Sequence, residues 1–131
     1  MRFMFIVKSA NTRAPTPELL EAMGKLADRE IKAGRMLDNG GLTPLAMGAQ
    51  VRVLDGQLSV VDGPFVEAKE VIGGYAVFEL RNKEEALASA VEFMQLHKDL
   101  MPGWEGICEL RAFAGPPHGE PTCELRADAA P

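Results

Sequence analysis

The chain has 131 residues, 47% hydrophobic and 25% charged, with 19 acidic against 14 basic side chains and a net charge of -5. That length fits one domain, able to bury roughly two thirds of its unfolded surface without help from a metal or a disulfide. A negative surface with no Lys/Arg cluster repels phosphate backbones and anionic lipid, which argues against nucleic acid and membrane as partners.

From Met1 to Lys8 the apolar run lasts five residues, too short for a signal-peptide core or a bilayer span, so the expected location is the cytoplasm. The two cysteines, Cys108 and Cys123, are not expected to form a disulfide in that reducing compartment. Phe3 to Val7 is apolar at every position, as in a strand covered on both faces. Thr16 as N-cap and Pro17 at the first helical position then open a helix. Its Leu19/Leu20, Met23, Leu26/Ala27 and Ile31 recur every three or four residues, and Gly34 closes it. Residues 38 to 48, rich in Gly and Pro, read as a loop. Val51 to Leu54 and Gln57 to Val61 flank Asp55-Gly56, a strong two-residue hairpin signal.

A longer strand is expected from about Gly74 to Arg81. Asn82, with Glu85 three residues on, starts a second helix over Lys83 to about His97, with Leu87, Ala90/Val91 and Met94 as its expected core stripe. After Pro102-Gly103, the stretch Ile107 to Phe113 alternates as a last strand. The domain is taken as residues 1–114. Residues 115–131 form a Pro-rich C-terminal tail without sustained period.

This order is an α+β, ferredoxin-like sandwich with an inserted β-hairpin. Two helices cover one face of such a sheet. Ala76, Phe78 and Leu80 with Cys108, Leu110 and Ala112 make the helix-facing set. Tyr75, Val77 and Glu79 with Ile107, Glu109, Arg111 and Phe113 point the other way. A monomer would expose Val77, Ile107 and Phe113, so a two-fold homodimer stacked through that face is the economical solution, although a partly wet sheet satisfies the same periodicity.

The richest segment runs from Asp62 to Tyr75: Asp-Gly-Pro-Phe, then Glu67, Lys69 and Glu70, then Gly73-Gly74. Asp62 can organise a turn through backbone amides, Gly63 tolerates unusual φ, Pro64 fixes φ and Phe65 can anchor the loop. The same rigidity can preorganise carboxylates for proton transfer or ligand binding. Asp62, Glu67, Glu70 and His97 are therefore the catalytic candidates, and Lys69, Tyr75, Glu79, Glu109 and Arg111 the ligand-binding ones. His97 also has a plain reading, as a helix-end histidine beside C-terminal carbonyls. Neither it nor His118 has a partner at metal-site spacing, so no metal is expected. Gly40-Gly41 and Gly73-Gly74 are isolated pairs, without a nucleophile elbow, phosphate loop or dinucleotide fingerprint, and no cofactor is expected.

Asp62-Gly63-Pro64-Phe65, followed by Glu67, Lys69, Glu70 and Gly74, resembles the signature of the DGPF branch of the YCII-related domain family; Val51-x-Val53 and Glu109-x-Arg111 agree more loosely. The resemblance covers roughly residues 1 to 113 and implies a small α+β protein that pairs as a dimeric α+β barrel. A YciI-like branch and lactone dehalogenases of similar fold are associated with a His/Asp pair whose histidine sits on the first helix. Residues 17 to 33 here contain none, a departure from that pattern, and Asp62 is not a substitute for the missing imidazole base. Members of the branch are also encoded beside, or fused to, extracytoplasmic-function sigma factors. Two functions follow: a protein that binds or transforms a small molecule in a dimeric-barrel cavity, or a non-catalytic regulatory or sensing module of sigma-factor-linked transcription control.

Overall fold

The computed structural model describes residues 1–10, 13–63, 65 and 71–115. Glu67, Lys69, Glu70, His118, Cys123 and the tail beyond residue 115 lie outside the described residues. Among the described residues the elements are, in chain order, β1 (Arg2–Ser9), α1 (Pro17–Lys32), β2 (Met36–Gly41), β3 (Gln50–Leu54), β4 (Gln57–Val61), β5 (Val71–Glu79), α2 (Lys83–Leu100) and β6 (Gly106–Ala112), with a 3-10 turn at Leu45–Met47. Strands β2-β5-β1-β6 make one antiparallel sheet, and β3-β4 stand apart as a hairpin. An antiparallel sheet with two helices in this connection order is compatible with a ferredoxin-like α+β fold. No helix among the described residues is long and apolar enough to cross a membrane.

The local signals act as their chemistry dictates. Thr16 accepts from the Leu19 amide at 3.2 Å, and its hydroxyl donates to the Leu100 carbonyl at 2.8 Å, so one side chain caps α1 and ties it to the end of α2. Gly34 takes φ +77° just past α1, where a side chain would be strained. Asn82 caps α2 through the Glu85 amide, and Asp55 and Gly56 both take positive φ in the hairpin turn.

Register decides the faces. Phe3, Phe5 and Val7 of β1 sit opposite Phe78, Ala76 and Gly74 on one side and Ala112, Leu110 and Cys108 on the other. The core is Phe3, Phe5, Phe78, Leu80, Ala86 and Ala90, with the Phe5 and Phe78 rings stacked at 4.6 Å. Each fully buried phenylalanine contributes about 1.5–3 kcal/mol.

Three expectations need correction. The first part of the Gly/Pro-rich segment is not a loop: Met36–Gly41 is the edge strand β2, made by pairing with β5 rather than by its own weak strand formers. The buried stripe of α2 is Ala86, Ala90 and His97, while Leu87 and Val91 are exposed. On α1, Leu19 is buried but Leu20 and Ile31 are exposed. In the single chain Met4 and Ile6 of β1 are half-buried, so its second face is not fully covered.

Candidate functional site

A cleft of about 670 Å³ opens between α1 and the sheet. Its origin is a run of small side chains. The helix-facing positions at the β2/β5 end are Gly41 and Gly74, paired with each other, and then Ala76; at the opposite end of the sheet the same face is filled by Phe3, Phe5, Phe78 and Leu80. Ser9 continues the small floor on β1, and Gly24 thins the wall on α1. A Cβ on Gly74 would meet the Gly40 carbonyl oxygen at 2.9 Å, so the close approach of β2 to β5 itself requires glycine there. Leu20, Met23, Leu26 and Ala27 line the helix side.

At the α2 end the cleft is closed by an aromatic cluster. His97 is 6% exposed, its ring 4.6 Å from Phe93 and 4.7 Å from Trp104. Its Nδ1 lies 3.1 Å from the Phe93 carbonyl oxygen, four residues back on the same helix. A carbonyl only accepts, so Nδ1 carries the proton. Burial pulls the pKa of His97 below its ordinary value, outweighing that hydrogen bond, and the ring is neutral at neutral pH. It is thus no cationic helix cap.

Glu79, Glu109 and Arg111 lie outside the cleft; Tyr75 is among the residues that border it, although its strand parity sets its side chain with theirs on the other sheet face. Tyr75 crosses over Gly40 to donate to Asp38 Oδ2 at 3.1 Å, a contact that raises the phenol pKa. Glu79 is held by the Met1 ammonium at 3.0 Å and by Arg2 at 3.3 Å, and those partners lower its pKa. Lys8 at 2.9 Å and then Arg111 at 3.1 Å do the same for Glu109. The charges of this face are therefore largely spent on one another. Asp62 is exposed, and its carboxylate has no partner among the described residues; Gly63 takes φ +89° with the half-buried Phe65 ring over it. The structure thus brings Tyr75, Glu79, Glu109 and Arg111 to one face and sets His97 on the opposite side of the sheet. Glu67, Lys69 and Glu70 lie outside the described residues.

Sequence reasoning missed the cleft and the Asp38–Tyr75 contact. The signal for the cleft was present in the two glycine pairs, which the strand register joins as Gly41 opposite Gly74. Asp38 carried no signal once its segment was read as a loop. Among the described residues no cluster of three or more His, Cys, Asp or Glu side chains could hold a metal ion. Cys108 is a free, half-buried thiol whose pKa burial pushes up to about 11, which makes it a poor nucleophile.

Comparison with known proteins gives a family match to the YCII-related domain over residues 1–93. An uncharacterized protein of Rhizobium meliloti (strain 1021) is 27% identical over 81 residues, which are 62% of this chain and 65% of that protein. The chain thus spans less than two thirds of the length of the curated relative it matches.

Proposed function

This chain belongs to the YCII-related domain family, and from that membership and the cleft beside His97 we propose that it binds or transforms a small, mainly apolar molecule. The carrying observation is the cleft itself: about 670 Å³, walled by Leu, Met and Phe side chains, with one neutral imidazole at its end. That size and composition suit a ligand held by apolar contact and oriented by few polar groups. In the finer reading the chain is a DGPF-branch member that pairs through its open sheet face into a dimeric α+β barrel in the cytoplasm. Glu79, Glu109 and Arg111 then line the interior as structural ion pairs, while the ligand lies on the helix side. Asp62, Glu67, Lys69 and Glu70 precede β5 in the sequence, a strand that forms part of the cleft floor, and are kept as candidates for contact with the ligand.

One observation favours a second reading. Val51, Val53, Leu58 and Val60 share one face of the β3-β4 hairpin and are 67–72% exposed, a surface suited to docking another protein. It supports a non-catalytic regulatory or sensing module, as sigma-factor association would require. Native mass spectrometry of the freshly purified protein, followed by titration of the stripped protein with the released compounds, separates the two. Trp104 is the chain's single tryptophan and lines the cleft, so its fluorescence reports occupancy. A retained small molecule that restores the Trp104 signal supports the first reading. An empty protein whose tryptophan responds to no fraction of a metabolite extract removes it.

A further inference from the structure

The polar groups lining the cleft restrict what it can hold. Ser9 Oγ donates to the Glu105 carbonyl at 2.8 Å, Asn39 Nδ2 to Met36 Sδ at 3.2 Å and Arg13 Nη2 to the Pro102 carbonyl at 3.1 Å, at an exposed position. Ser89 adds a hydroxyl that can donate or accept and so imposes no sign on a ligand. His97 does impose one. With the proton fixed on Nδ1 by the Phe93 carbonyl, Nε2 presents a lone pair and can only accept. No hydrogen bond is made by Nε2, and every fully buried side-chain nitrogen or oxygen among the described residues is paired, so Nε2 is not fully enclosed, on a ring that lines the cleft. Phe93 and Trp104, packed at 4.6 and 4.7 Å, hold the ring in that orientation. Among the described residues no carboxylate or lysine lines the cleft. An anionic ligand group beside Nε2 would meet a lone pair, and Arg13, the cation that lines the cleft among the described residues, already donates to the Pro102 carbonyl. A group that donates meets its complement.

We infer that the ligand is an apolar, ring-sized molecule carrying a neutral hydroxyl donor of the phenol or enol class, and that His97 Nε2 accepts that hydrogen bond. The inference rests on the reading of the cleft as a small-molecule site. A flat hydroxyl-bearing ring can contact the Trp104 and Phe93 edges while its oxygen reaches Nε2. A carboxylic acid would lose its proton before entering, and its anion would bring a desolvation cost that a lone pair does not offset. An ether of the same shape would leave the imidazole acceptor buried and unpaired, which costs binding.

The probes are 2-naphthol and 2-methoxynaphthalene, equal in ring but differing in the donor, titrated calorimetrically into the full chain at neutral pH. The naphthol is expected to bind roughly two- to thirteenfold tighter, the span of one neutral hydrogen bond. His97→Phe keeps an aromatic ring in the cluster and should bring the naphthol to the affinity of the ether while leaving the ether unchanged. Equal binding of both probes to the unmodified protein overturns the role of His97 but leaves the cleft a small-molecule site. Binding of neither probe removes the cleft reading for this class and the inference with it. Should His97→Phe fail to fold, nitrogen NMR of the unmodified protein decides. The His97 Nε2 resonance must move with 2-naphthol and not with the ether, while Nδ1 stays put; saturation by the naphthol without movement of Nε2 overturns the assignment.

Discussion

Glu30→Gln keeps the volume of a side chain that is 4% exposed and removes only its charge. Both carboxylate oxygens are engaged: Arg35 donates to Oε1 at 2.9 Å and to Oε2 at 2.7 Å, and Arg29 donates to Oε2 at 3.0 Å. Arg29 also grips Glu92 of α2 through bonds of 2.8 and 2.6 Å. The network thus pins the C-terminal turn of α1 to α2 and to the entry of β2. In the amide, an NH2 replaces one acceptor and faces a guanidinium donor. Hydrogen bonds to charged groups contribute about 1.5–3 kcal/mol each. The arginines, however, are 53% and 43% exposed, so water recovers much of what their donors lose. The net destabilisation should be about 2 kcal/mol, or roughly 8 °C in Tm for a domain of this size.

The pH dependence gives an independent reading of the same bond set. The hydrogen bonds from Arg35, supported by Arg29, hold the Glu30 carboxyl below its ordinary 4.5 against the opposing effect of burial. A folded-state pKa below the unfolded one contributes stability that is complete above the unfolded value and is lost as the pH falls through the folded value. The gap between the unmodified protein and Glu30→Gln should therefore be constant around neutrality and close progressively below about pH 4.5. Urea melts from pH 7 into the acid range measure it. A neutral-pH gap under about 0.5 kcal/mol, or one that persists undiminished in acid, would refute the electrostatic account of how α1 is anchored.

Two further outcomes concern the sheet. Gly74→Ala should cost about 1–3 kcal/mol, because its Cβ meets the Gly40 carbonyl oxygen at 2.9 Å, whereas Gly73→Ala enters open space and should stay within about 1 kcal/mol; equal losses in denaturant melts would contradict the close approach of β2 and β5. Multi-angle light scattering should give twice the mass of the chain, with Ile107 and Phe113 covered; a stable monomer at micromolar concentration rejects stacking through the open face.

What the sequence disclosed was local, and what it withheld was made by distant partners. Thr16-Pro17, Asn82 with Glu85, Asp55-Gly56 and Gly34 act within a turn of themselves, and each appears where its chemistry requires. The alternation that divides Phe78 from Val77 carried the sheet faces for the same reason. β2 is the opposite case. Asp38-Asn39-Gly40-Gly41 has poor strand propensity and becomes a strand only because β5 supplies its hydrogen bonds. The α2 stripe went astray because large apolar residues were taken as core, while Ala86 and Ala90 give the close approach and His97 the buried terminus. A histidine carries no periodic hydrophobic signal, and only tertiary packing against Trp104, seven residues later, buries it. The Gly40-Gly41 and Gly73-Gly74 pairs were visible, but their meaning lay in a register that neither pair specifies alone.

The glycines also supply a way to ask whether the cleft is a site or a packing defect. Gly24 sits one turn from Leu20 and Ala27 on the face of α1 that lines the cleft, and a Cβ there meets nothing within 4 Å. A glycine inside a helix costs about 0.5–1 kcal/mol relative to alanine, so the residue is a poor choice for stability. Gly24→Leu relieves that cost and adds an apolar side chain where a Cβ meets open space at the border of the cleft. Stability should rise by at least about 0.5–1 kcal/mol in urea melts. If the space is kept open for a ligand, the same substitution should abolish binding of 2-naphthol or of any compound that copurifies with the protein. Stability gained while binding is lost is the signature of a position selected for function rather than packing. A leucine that stabilises the fold and leaves ligand affinity unchanged would show that the small molecule binds elsewhere and return the search to the open sheet face around Tyr75 and Asp38. A leucine that destabilises would show that the wall of α1 is already closed, and the glycine floor beneath it would then need another explanation.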